Sequence, residues 1–137
     1  MLMKHFVAFL MVLISFNFGV AQNSRAYIRN SISNWGECRT VAITKSNGDL
    51  AIYGRNGSAR SGCPKSLNDA LNELNGQKKY IRDVQLTDGG AWLILFEDNG
   101  VRWNSIPYSL ERKLREFNQN QEKIISVTFN DDGDWIV

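Results

Sequence analysis

The period of hydrophobic and polar positions changes several times along the chain, and the changes recur. Residues 39–44 and 81–86 alternate apolar and polar side chains, the pattern of a half-buried strand. Ser46-Asn47-Gly48 follows the first stretch and Asp88-Gly89-Gly90 the second, turn sequences that tolerate the positive φ of tight hairpins. The next runs, 50–53 and 91–96 (AWLILF), are apolar throughout and predict a central strand buried on both faces. Asn-Gly pairs at 56–57 and 99–100 mark a second turn, into short third strands over 58–60 and 101–106. The period then becomes helical. Leu67, Leu71 and Leu74 share one face, as do Leu110, Leu114 and Phe117. Ser66 and Ser109 are the predicted N-caps, Asp69 stands three residues after Ser66 as in a capping box, and Asn75-Gly76 predicts the stop of the first helix.

These recurrences share one spacing. Shifting 38–80 by 43 residues places it on 81–123 without a gap, with 12 identities in 43 positions. They include Arg39/Arg82, Val41/Val84, Thr44/Thr87, Leu50/Leu93, Pro64/Pro107 and Glu73/Glu116. A second shift sets Ile81, Val84, Asp88, Gly90 and Trp92 on Ile124, Val127, Asp131, Gly133 and Trp135. Register kept through strands, turns and a proline together is the signature of an internal repeat. The units run 38–80, 81–123 and, in part, 124–137. Ahead of them, 24–37 occupies the place of a preceding helix, with Tyr27, Ile28, Ile32 and Trp35 on its apolar side. Its Ile, Tyr, Asn and Ser are poor helix formers, and a strand fits nearly as well.

The first 21 residues follow a different rule. Lys4 precedes an apolar run over 6–18, and Gly19 and Ala21 sit at the −3 and −1 positions of a small-residue cleavage site. This run is shorter than the roughly 20 residues of a transmembrane helix. It predicts a signal peptide over 1–21, export to the periplasm or medium, and a mature single domain over 22–137 that does not span a membrane.

Composition matters mainly through that cleavage. The formal net charge is +2, too small for the basic footprint of a nucleic-acid binder, so no nucleic-acid partner is expected. His5 is the one histidine, and it leaves with the signal. A mature chain without histidine is closed to Ser-His-Asp and Cys-His catalysis and to histidine-based zinc sites. No metal site and no cofactor are expected.

Several residues invite chemistry nonetheless. Cys38 and Cys63, the only cysteines, predict a disulfide in an oxidising compartment. Their counterparts one unit on are Ile81 and Ile106, an apolar pair that a disulfide would replace, although a plain three-strand meander puts the two positions at opposite ends. Asp131-Asp132-Gly133-Asp134 resembles a calcium loop in composition, but hairpin chemistry accounts for it and for both equivalent turns. Trp92 and Trp135 fall in central strands and are expected in the core, whereas Trp35 and Trp103 are freer. Arg60, Arg102, Trp103 and Tyr108 cluster around the third strands and helix starts and form the candidate binding rim. Glu73 and Glu116 recur as a pair, which points to a role in the repeat and not in one active site. No catalytic residue is assigned.

Units of the form V-x-x-T…G-x-W…N-G…P-x-S-L-x-x-x-L behind a signal ending in Ala-Gln resemble uncharacterised secreted bacterial tandem-repeat proteins, over about residues 38–137. Unit length and the G-x-W strand are also similar to β-propeller blades. Here the Trp-Asp and Gly-His signatures are absent, a helix stands in place of the fourth strand, and fewer than three units do not close a propeller of 4–8 blades. The resemblance implies a repeat-type interaction scaffold and transfers no catalytic residue. The expectation is an α+β fold of antiparallel meanders with helices on one side of the sheet. The expected function is non-enzymatic binding of a protein or cell-envelope component. The alternatives are a small secreted enzyme inhibitor and, third, a carboxylate-based hydrolase.

Overall fold

A computed structural model describes residues 25–137; the predicted signal segment over 1–21 and His5 lie outside the described residues. The fold is mixed α and β, with three antiparallel sheets and three helices. Helix α1 occupies 25–35. The first sheet is β1 (Cys38–Ile43), β2 (Asp49–Tyr53) and β3 (Gly57–Ser61), followed by α2 (Lys65–Gly76). The second sheet is β4 (Ile81–Leu86), β5 (Trp92–Phe96) and β6 (Gly100–Asn104), followed by α3 (Tyr108–Gln119). A two-stranded sheet, β7 (Thr128–Phe129) and β8 (Trp135–Ile136), ends the chain.

The first two sheets share their register in detail. Val41 pairs with Ala51 and Val84 with Ile94, each pair 43 residues from the other. Both carry an irregularity at the same place, between Cys38 and Thr40 and between Ile81 and Asp83. Gly57 and Gly100 lie under the rings of Tyr53 and Phe96, where any Cβ would collide with the aromatic edge. The left-handed residues of these hairpins are Gly54 and Glu97, not the Asn-Gly pairs the sequence pointed to, and Gly57 and Gly100 already open β3 and β6. Each asparagine also holds its sheet to the segment after the helix. Asn56 donates to the Lys79 carbonyl and accepts from Ile81 N, and Asn99 does the same with Glu122 and Ile124.

Alternation along a strand sends neighbouring side chains to opposite faces, and both faces of the first two sheets are covered. Leu50 and Ile52 pack with Leu67, Leu71 and Leu74 of α2, while Ala51 and Ala59 meet Ile28 of α1. In the second sheet, Val84, Trp92 and Ile94 face α2, whereas Leu93 and Leu95 face Leu110 and Leu114 of α3. Helix α2 is thus wedged between two sheets, with a leucine stripe that serves both. This corrects the expectation of helices on one side of the sheet. It also explains the unbroken apolar runs of β2 and β5, since Leu50, Ala51, Ile52, Leu93, Ile94 and Leu95 are all fully buried.

The helix starts differ from expectation as well. Pro64 and Pro107 occupy the N-cap positions and no side chain caps either helix. Their carbonyls accept from Asn68 N and Glu111 N, so the serines fall inside the first turn. Ser66 Oγ instead accepts from Trp92 Nε1 at 3.0 Å, and Ser109 Oγ from Trp135 Nε1 at 2.8 Å. Asp69 pairs with Lys65 rather than closing a capping box. At the C-termini the left-handed residues are Lys78 and Gln121, not Gly76. Lys79 N bonds back to Leu74 O and Glu122 N to Phe117 O, the wide turn that ties off carbonyls of the last helical turn.

Candidate functional site

The candidate rim does not assemble into one surface. Arg60 pairs across β3 with Leu50 and therefore faces α2, where its guanidinium donates to Asn68 and Asn72. Arg102, opposite Ile94, faces α2 from the second sheet and makes a two-pronged ion pair with Glu73 at 2.7 and 2.5 Å. Those bonds, with the adjoining charge of Arg102, hold the Glu73 carboxyl below the usual range, and Glu73 in turn raises Arg102. Trp103 is next in sequence but points the other way, toward α3, with Arg115 lying 5.3 Å over its ring. Tyr108, the first residue of α3, is 78% exposed. Adjacency in sequence grouped residues that strand alternation separates.

Cys38 and Cys63 are both free thiols, which corrects the expected disulfide. Cys38 pairs with Tyr53 at one end of β2 and packs on the α1 side. The Cys63 thiol donates to the Asp49 carbonyl at the other end of β2 and packs on the α2 side. Four strand steps of about 3.3 Å separate those ends, well beyond the reach of a disulfide. Burial pushes the Cys63 thiol up from its ordinary value.

The turn acids bind protein. Asp88 Oδ1 accepts from Lys45 N, and Asp131 Oδ2 accepts from Gly89 N at 2.8 Å. Asn47 also donates to the Asp88 carbonyl. The first two turns are each held by an aspartate of the next one. Among the described residues no group of three or more His, Cys, Asp or Glu is placed to hold a metal. The amide of Asn56, which begins an Asn-Gly-Ser sequence, is committed on both its oxygen and its nitrogen.

An open groove of about 300 Å³ lies between α1 and the first sheet. Ile28 and Ile32 of α1 form one side, Val41 and Ile43 of β1 the other, and Asp49 closes an end. Its carboxylate is only 7% exposed and meets Arg25 Nε at 3.6 Å and Thr44 N at 3.4 Å. The reason for the groove is visible 43 residues on, at Trp92. In the second sheet an indole fills this position against α2. In the first, a short carboxylate stands there and Ala51 replaces Ile94. Less volume leaves Val41 44% and Ile43 61% exposed, whereas Val84 is fully buried. None of these residues was singled out from the sequence as a site. The available signal was Asp49, an acid where the register otherwise places tryptophan.

Comparison with protein-family models, with curated proteins and with solved structures finds no match to this chain. Among the described residues no helix is long and apolar enough to cross a membrane.

Proposed function

We propose that the protein is a secreted, non-enzymatic binding module for a protein or cell-envelope component, built from 43-residue strand-strand-strand-helix units and exported by a cleaved signal over 1–21. The repeat reading draws support from bonds that recur 43 residues on. The tryptophan–serine and asparagine clamps each occur twice.

One observation carries the binding reading. The row Val41–Ile43 is apolar and open beside α1, while the corresponding row of the second sheet is core. Solvent-exposed apolar residues gathered in a concave surface mark interaction sites. The test is capture from the cell-envelope fraction by the immobilised chain, with mass spectrometry of what is retained. Wild type is expected to hold a defined component that the Val41→Asp/Ile43→Asp variant releases. A chain that retains nothing, or retains the same material with both residues changed, overturns the reading.

A further inference from the structure

The groove beside α1 has two chemically different edges. Ile28 and Ile32, four residues apart on α1, face Val41 and Ile43 and form an apolar trough. Arg25, Arg29 and Ser33, also spaced by four, run along its rim. Arg25 is turned onto Asp49, which neutralises it. Arg29 has no ion-pair partner among the described residues. The groove thus joins an apolar channel to one cation, Arg29, that has no acidic partner among the described residues. An anionic head group would pair with Arg29, and a cationic one would be repelled by it.

We infer that the groove binds a free alkyl carboxylate, with its head group between Arg29 and Ser33 and its chain along Val41, Ile43, Ile28 and Ile32. This rests on the binding-module reading and names its ligand class. A volume of about 300 Å³ is at the small end of ligand sites and suits a single chain of medium length. Asp49 sets the length of the channel, because it stops short of the space that the Trp92 indole fills in the second sheet.

Isothermal titration calorimetry of the full chain with sodium decanoate tests the inference. Hexanoate, acetate and decyltrimethylammonium serve as controls, all below their micelle concentrations. Decanoate is expected to bind one to one, and tighter than hexanoate because each added methylene leaves water. Acetate is expected not to bind, and decyltrimethylammonium to bind at least about tenfold more weakly than decanoate. Arg29→Glu is expected to weaken decanoate by about tenfold or more. Ile43→Trp, which fills the channel and leaves every charge in place, is expected to abolish binding. Circular dichroism confirms that both variants fold. Equal affinity for the two decyl amphiphiles, decanoate binding unchanged in either variant, or no decanoate binding overturns the inference. If decanoate fails while envelope capture still depends on Val41 and Ile43, the ligand class falls and the binding-module reading stands. If capture fails too, both fall.

Discussion

The α1-facing side of the first sheet and the α2-facing side of the second have the same backbone and opposite outcomes. Val41, Ile43, Asp49 and Ala51 form one row; Val84, Leu86, Trp92 and Ile94 form the other, in matching register. The second row is packed under Leu67, Leu71 and Leu74. The first meets Ile28 and Ile32, with Arg25 at Asp49, and part of it stays open. An indole and an isoleucine have given way to a carboxylate and an alanine. The difference between core and groove is therefore one of side-chain volume on a constant frame, and the frame survives because α2 seals the other face of the first sheet.

That comparison breaks most visibly at its bulkiest residue. Trp92→Ala is expected to cost about 3–5 kcal/mol, since it opens a cavity in a close-packed wedge, whereas Ile43→Ala at an exposed position is expected to stay within about 0.5 kcal/mol. Urea denaturation of both variants measures the gap, and equal losses would mean that the two rows are packed alike. Next in size are the asparagine clamps. Asn99→Ala leaves Ile124 N and the Glu122 carbonyl without their partner, a loss of about 1–3 kcal/mol by the same measurement, and Asn56→Ala should match it if the two sheets are held alike.

A smaller effect sharpens the contrast between the two ends of β2. Intact mass should be the same with and without reductant, and iodoacetamide should label both thiols without reduction. Cys63 is expected to react more slowly than a free cysteine in water, because burial keeps its thiol protonated to higher pH. A mass gain of two hydrogens on reduction would restore the disulfide. The smallest effect belongs to the Arg102–Glu73 pair on the polar side of α2. Glu73 titrates lower in the folded chain than in the unfolded one, so its contribution is present above the ordinary glutamate value of about 4.3 and disappears as pH falls through the folded value. Glu73→Gln is expected to flatten that part of the curve of Tm against pH. An unchanged curve would show that the ion pair does not couple the second sheet to α2.

Much of the frame was legible in the chain itself. The alternation in 81–86 and the apolar run in 91–96 became β4 and β5, and the leucines at 67, 71 and 74 became the buried stripe of α2. Periodicity reports which residues want to leave water, and for these segments the structure buries them. It does not report what covers them. Leu50 and Ala51 look alike in a hydrophobic pattern, yet one faces α2 and the other α1. The serines illustrate a second limit. Ser66 and Ser109 have N-cap chemistry, but Pro64 and Pro107 set the helix start two residues earlier and left the hydroxyls to the tryptophan N–H groups. The candidate rim is divided because strand neighbours point to opposite faces: Arg102 and Trp103 lie on opposite faces of β6.

Local pattern alone determined where strands, turns and helices fall, because turn chemistry and hydrophobic period act over a few residues. Tertiary structure alone decided that each of the first two sheets has a helix on both faces, that Cys38 and Cys63 stand apart, and that the space beside Asp49 is open. Those are questions of which surfaces meet and how much volume fills the gap between them. Residues far apart in the chain answer them jointly, and no stretch of sequence encodes the answer by itself.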